Sequence, residues 1–214
     1  MGRNGARRQR DGEGNGSRGR APRRLRRRSF GAGVAACALV VVGILSGAIA
    51  GATTLNVFDG DGDGSSWHDP FNWSLGHEPQ VGDEAVIPTG FDVQITGAAT
   101  ADLATVDSGA SLTVSGGSAE LALVGSVPVL DVDGSIVVTG SGGLRGLTLD
   151  LATAGSSFGV GSFSTGFFRD GVTVVGDLTL GNGDLHIFGS LVMDSGDVHT
   201  STASADLVFW DGAT

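Results

Sequence analysis

Three arrangements of side chains in this sequence of 214 residues could hold or transform a ligand. The first is Asp59-Gly60-Asp61-Gly62-Asp63-Gly64-Ser65. Alternate carboxylates with Gly at the sixth place match the opening of a calcium loop, where staggered oxygens wrap a hard cation. The complete loop needs an acid at the twelfth place, and Pro70 stands there. Asp59, Asp61 and Asp63 are therefore candidate ligands of a shorter calcium turn, calcium being the one cofactor suggested; a solvated Gly turn is the competing reading. The second arrangement is Asp184-x-His186 with Asp197-x-His199. Residues two apart on a strand share a face, so each pair could present a carboxylate and an imidazole together, or simply line a solvated face. His68 and His77 complete the histidines. The third is acid pairs such as Asp131 with Asp133, or Asp194 with Asp197. Glycoside hydrolysis needs two carboxylates at a set separation, but Asp is common in turns throughout this chain.

Composition narrows the chemistry further. Eleven of the 13 basic residues, all Arg, precede Ser29; beyond it 2 Arg face 21 acids, a net charge of −19. Such a body repels nucleic acid and anionic lipid, and attracts cations or basic partners. A lyase acting on acidic polymers needs cationic groups at its site, and only Arg145 and Arg169 are available. The single cysteine, Cys37, lies in an apolar run, so disulfides and thiol chemistry are excluded from the folded part. No Ser-His-Asp order, phosphate loop or cysteine cluster is present. These observations favour a protein that is not an enzyme.

Residues 1–50 read as an export segment. Met1 to Arg28 is polar and Arg-rich and is expected to be disordered; Gly31 to Ala50 is apolar and ends in Ala48-Ile49-Ala50, the small-residue spacing of a cleavage site. An uncleaved membrane anchor is the alternative. Arg27-Arg28-Ser29-Phe30 resembles the twin-arginine export pattern, although ordinary secretion is the better fit to an Arg-rich leader. Either route places the remainder outside the cytoplasm, extracellular or at the cell surface, with membrane contact only through this segment.

From Asp83 onward short apolar segments alternate with Gly, Ser or Asp turns, and residues 89–214 are expected to be β-helix repeats, incomplete at the C-terminus. Strands are expected at Ala85–Ile87, Asp92–Ile95, Leu103–Val106, Ser111–Val114, Glu120–Val124, Val129–Val132, Ser135–Thr139 and Leu147–Leu151. Further ones are expected at Val172–Val175, Asp177–Leu180, Asp184–Phe188, Ser190–Met193 and Asp206–Phe209. A short motif recurs: Gly134-Ser-Ile-Val-Val, Gly176-Asp-Leu-Thr-Leu, Gly183-Asp-Leu-His-Ile and Gly189-Ser-Leu-Val-Met, with Ala110-Ser-Leu-Thr-Val as a looser copy. The copies at Gly134 and Gly176 stand two coils apart, and the last three follow one another closely. That pattern suits a solenoid coil of about 20 residues with two or three strands and Gly at its corners. The fold class is thus all-β, a right-handed parallel β-helix, with a β-sandwich as the alternative. Ala154–Arg169, rich in Gly, Ser and Phe, is either a loop leaving the solenoid or an irregular rung with its aromatics stacked inside.

Residues 51–88 hold the Asp/Gly turn and a Trp-rich block, W-H-D-P-F-N-W-S-L-G-H-E-P-Q-V-G-D from Trp67 to Asp83. The pattern W-x-D-P-x-N-W-S-x-G-x-x-P resembles the start of many secreted bacterial proteins built on right-handed parallel β-helices. It is also similar to the opening of the extracellular domain named for its eight glycines. The resemblance implies the N-terminal cap of a solenoid, often on a longer chain, and brings no catalytic residues with it. The residues themselves suit that role: Trp67, Phe71 and Trp73 can cover an open coil, and Asn72 and Ser74 can bond free backbone groups. Pro70 and Pro79 can block further strand pairing. A sugar-stacking site is the other reading of the two tryptophans.

The last residues follow a strand directly, so the sequence is expected to be a fragment, or to have its open end covered by a partner. Taken together, these features describe a secreted or cell-surface structural or adhesive β-helix protein, the N-terminal part of a longer chain. A glycan-binding module and a polysaccharide hydrolase with its active site beyond residue 214 are the alternatives. Expected partners are cell-surface glycans or other envelope proteins, and not nucleic acid.

Overall fold

The structure, a computed structural model, describes residues 52–200 and 205–210. The Arg-rich leader, the apolar run and Cys37 lie outside the described residues.

Among the described residues the chain is a parallel β-helix of six coils, each contributing one strand to each of three faces, with one further strand ahead of them on the first face. The first face stacks β1 (Thr54–Val57), β2 (Asp83–Ile87), β5 (Leu103–Val106), β8 (Val129–Val132), β11 (Thr148–Asp150), β14 (Val172–Val175) and β17 (Leu191–Met193). The second stacks β3 (Asp92–Ile95), β6 (Ser111–Ser115), β9 (Ser135–Thr139) and β12 (Ser157–Val160), with β15 (Leu178–Leu180) and β18 (Val198–Thr200) paired beyond them. The third stacks β4 (Ala98–Ala101), β7 (Glu120–Leu123), β10 (Gly143–Arg145), β13 (Thr165–Arg169), β16 (Asp184–Phe188) and β19 (Leu207–Phe209). The strand ladders are parallel on every face, which excludes the sandwich.

Period-2 alternation explains why these segments are strands. Each turns one set of side chains inward, where in-register neighbours about 4.8 Å apart stack on one another. Ile95, Val114, Val138 and Val160 form one such column. Ala99, Leu121, Leu144, Phe168 and Ile187 form another, and all nine residues are buried.

On the first face, Ala85, Ala104, Leu130, Leu149, Val174 and Met193 lie in register. The coils between them alternate in length. Those from Ala85 to Ala104, Leu130 to Leu149 and Val174 to Met193 are short; those from Ala104 to Leu130 and Leu149 to Val174 are longer. The coil length inferred from the motif is therefore that of the short coils, and alternate coils carry longer corners.

The recurring motif begins strands on all three faces. The copies at Ala110, Gly134 and Gly176 start β6, β9 and β15 on the second face. Those at Gly183 and Gly189 start β16 on the third face and β17 on the first. The close spacing of the last three copies thus marks successive sides of a triangular coil. Glycine is needed where one corner lies on the corner below it. A Cβ on Gly134 would run into the carbonyl oxygens of Ala110 and Asp107, and one on Gly176 would come within 2.7 Å of the Leu151 carbonyl oxygen.

The Phe-rich stretch is a regular part of the fourth coil. Phe158 and Phe168 are buried and meet edge to face at 5.4 Å. Phe163 is fully exposed at a turn with φ 57°, and Phe167 faces outward. The segment is neither a departing loop nor a wholly internal aromatic stack.

The Trp-rich block packs at the end of the solenoid where β1 lies. Trp67 and Trp73 are buried, with ring centroids 4.9 Å apart, and the Trp73 Nε1–H donates to the Trp67 carbonyl at 2.7 Å. Phe58 completes the cluster, 5.2 Å from Trp73 and edge-on to it. Phe71 does not take part, contrary to the sequence expectation: it is 73 % exposed. Its place follows from the 3-10 turn Pro70–Asn72, which Asp69 caps by accepting the Phe71 N–H; the turn directs Asn72 inward and Phe71 out.

The buried Asn72 and Asn56 at this end serve the backbone. The Asn72 Oδ1 accepts from the N–H groups of Gly62 and Gly64, while its Nδ2 donates to Asp63 and to the Ser66 carbonyl. Asn56 donates to the His77 carbonyl and accepts from the Leu75 N–H. Ser74 closes the outer edge of β1: its Oγ accepts from the Val57 N–H at 3.0 Å and its own N–H donates to the Val57 carbonyl at 2.9 Å. Pro79 is buried in the same region. An edge strand that would otherwise offer free donors and acceptors is thus covered.

Candidate binding face

The outward side of the third face gathers groups that are far apart in sequence. Glu120, Gly143, Phe167 and His186 occupy one in-register column, and Ala122, Arg145, Arg169 and Phe188 the next. Arg145 and Arg169, the only cations of the acidic body apart from histidine, are direct neighbours on adjacent strands. Two like charges so placed repel, and the acids around them offset the cost. Arg145 Nε lies 3.1 Å from Glu120 Oε1 and 3.2 Å from Asp170 Oδ2, while Arg169 Nη1 lies 2.7 Å from Glu120 Oε2. The Glu120 side chain is only 16 % exposed, so both of its oxygens are held by guanidinium donors away from bulk water.

Gly143 makes that geometry available. It lies on the strand between Glu120 and Phe167, and a Cβ there would sit 3.3 Å from Arg169 Nη1. A side chain would therefore crowd the path by which Arg169 reaches across a rung to Glu120. On its own strand Arg169 also covers Phe167, 4.7 Å from the ring centroid.

The aromatic groups continue the face. Phe167 meets His186 at 5.5 Å and Phe188 at 5.8 Å. Phe188 stacks on Trp210 at 5.4 Å, with the planes 10° apart. The Trp210 Nε1–H donates to His186 Nδ1 at 3.1 Å, which fixes the indole while leaving it 47 % exposed. The result is a pre-organised strip of rings and paired charges on rigid strands.

The other sequence candidates are not brought together in this way. Asp63 Oδ1 accepts from the N–H groups of Ser65 and Ser66 and from Asn72 Nδ2, and these donors hold its pKa below the usual carboxylate range. Asp59 accepts from the Asp61 N–H. The run Asp59, Asp61, Asp63 is thus a backbone-bonded turn, and among the described residues no three His, Cys, Asp or Glu side chains gather as a metal-binding group. His186 and His199 stand on different faces, and His199 approaches Asp177 at 4.0 Å. Trp67 and Trp73 are buried, so neither can stack a sugar.

Asp131 stacks in register on Asp150. Its pKa is raised, by partial desolvation first and then by the charges of Asp133, Asp150 and Asp107. A carboxyl whose folded pKa exceeds its unfolded value costs the fold stability at neutral pH, a cost that fades as pH falls through the raised value. Asp131→Asn is therefore expected to raise Tm at pH 7, by an amount that shrinks toward zero in acid; paired melting curves across pH check this. Two shallow grooves, about 450 and 320 Å³, run beside the second face; Asp133 lines the smaller, and Asp131 lines neither.

The molecule is therefore a parallel β-helix with a Trp-rich block at one end, and its most distinctive surface is one outer face. No family model, curated protein or solved structure matches the chain.

Proposed function

We propose that this protein is exported and serves at the cell surface or outside the cell as a structural and adhesive β-helix. The observation that carries the reading is the convergence of Glu120, Arg145, Arg169, Phe167, His186, Phe188 and Trp210 on one rigid outer face. A solenoid held by its own inward columns needs no outward aromatic stack or charge network to fold. Outward groups that are nevertheless locked in place suit contact with something else. The leader sequence supplies the expected location, and the acidic body limits partners to neutral or basic surfaces. Adhesion is favoured over catalysis because the grooves are shallow and the candidate acid pair is split, Asp133 lining the smaller groove and Asp131 lying outside it.

The test is labelling of intact, unpermeabilised cells with an antibody to the solenoid, together with attachment of the purified protein to those cells. Surface labelling and saturable attachment are expected. A protein found only inside the cell, or one that shows no saturable attachment, overturns the proposal.

A further inference from the structure

We infer that the third face binds uncharged polysaccharide, with the exposed Trp210 as its stacking group, Phe188 as the ring that backs it, and the Arg145–Glu120–Arg169 network as its hydrogen-bonding groups. This deepens the adhesive reading and rests on it. Three properties of the face select the ligand class.

The first is charge. Arg145 and Arg169 are matched by Glu120 and Asp170, so the strip is neutral on a body that is otherwise strongly acidic. An anionic polymer would meet no uncompensated cation on the strip and would be repelled by the surroundings. The second is the mixture of groups. Protein contact centres share aromatics and arginine with this face but are depleted of Glu and Asp, and here Glu120 and Asp170 stand among the rings and guanidinium groups. Carbohydrate suits such a mixture, because its C–H faces pack on aromatic rings while its hydroxyls bond to planar charged side chains. The third is rigidity. Phe188 is on β16, and Trp210 is tied to His186 by its indole N–H. Little side-chain entropy remains to be lost when a ligand binds.

Exposure makes Trp210 the reporter. Trp67 and Trp73 are buried in the cap, so a fluorescence change on adding ligand arises at Trp210. The experiment titrates the purified full chain with soluble neutral glucans of β-1,3, β-1,4 and α-1,4 linkage, and separately with polygalacturonate, following fluorescence and gel retardation. At least one neutral glucan is expected to quench and retard the protein with little dependence on salt, while polygalacturonate, which the eleven leader arginines of the full chain can hold, leaves the Trp210 fluorescence unchanged. Phe188→Ala is expected to weaken binding about tenfold or more. Trp210→Phe is expected to abolish the quench while keeping most of the retardation. Phe163→Ala, at an exposed ring away from the strip, is expected to change nothing.

Melting curves confirm that each variant is folded; should Phe188→Ala fail to fold, Arg145→Ala takes its place with the same expected loss. Absence of binding by every neutral glucan, quenching of Trp210 by polygalacturonate instead, or unchanged affinity in folded Phe188→Ala overturns the inference. If cell attachment persists while neutral glucans fail, the ligand class is wrong and the adhesive reading stands. Loss of attachment altogether removes both.

Discussion

Replacing Trp73 by alanine is expected to cost about 3–5 kcal/mol, the range for emptying a buried aromatic site. The ring touches both Phe58 and Trp67 edge to face, and its Nε1–H holds the Trp67 carbonyl at 2.7 Å. Truncation leaves a cavity between two other large side chains and strands a buried acceptor, so both the packing and the polar terms act in the same direction. The damage should also be local in its first stage. Trp73 forms an antiparallel bridge with Phe58 at the end of β1, and Ser74 bonds the edge of that strand. Denaturant melts of wild type and Trp73→Ala should therefore differ in midpoint, and limited proteolysis of the variant should begin between Phe58 and the substituted position. Unchanged stability would mean that the block is an ornament on the solenoid and does not close it.

Gly134→Ala is expected to have the second large effect, although only one methyl group is added. The new Cβ would collide with the carbonyl oxygens of Ala110 and Asp107, and both belong to the backbone of the coil below. A flexible side chain could swing aside; a corner fixed by the Ser135 N–H to Ala110 carbonyl bond at 3.1 Å has much less freedom. Either the third coil lifts from the second, breaking ladder bonds on the second face, or the corner rearranges. An overpacking cost of about 1–3 kcal/mol is the lower expectation, because the neighbours here are main chain. By contrast, Gly90→Ala, where no atom lies within 4 Å of the new Cβ, should cost only the strain of its positive φ. Comparing the two melting midpoints isolates the stacking requirement from the backbone preference.

The first and second faces are far more legible in the sequence than the third. Strands such as Asp92–Ile95, Val129–Val132, Ser135–Thr139 and Val172–Val175 are rich in β-branched residues that alternate in burial, and sequence and structure agree on their bounds. The third face is written differently. Its β4 is Ala-Ala-Thr-Ala, its β10 is Gly-Leu-Arg, and its β13 is Thr-Gly-Phe-Phe-Arg, so each lacks the β-branched alternation that marks a strand. The sequence expectation omits all three, as it omits β1, β12 and β18. These strands pair because the coil carries them into place beside better-marked neighbours, a tertiary effect that no local window contains.

The candidate binding face lies on that same poorly marked side, which is why the sequence does not reveal it. Glu120 meets Arg145 from the next coil and Arg169 from the coil after that, and neither interval is a multiple of the coil inferred from the motif. Because short and long coils alternate, register cannot be summed along the chain from a single period. One signal is available. Phe167 and Arg169 precede His186 and Phe188 by the same interval, one short coil, and in both strands these residues fall on the outward phase of the alternation. In the Trp-rich block, the burial of both tryptophans and the backbone bonds of Asn72 and Ser74 follow from their chemistry. Phe71 misleads because its type argues for burial, while the 3-10 turn that points it outward depends on the Asp69 cap.

The most direct test of the cap's role is hydrogen exchange at the backbone N–H of Val57. On an open edge strand this amide would face solvent and exchange quickly. If the Trp-rich block is a closure, the Ser74 Oγ that accepts from it at 3.0 Å should slow its exchange toward that of amides in β5. Ser74→Ala should then restore fast exchange at Val57 while leaving β5 protected. Fast exchange at Val57 in the wild-type protein, with β5 protected, would contradict the account: the first coil would be open, and the buried tryptophans would need another purpose.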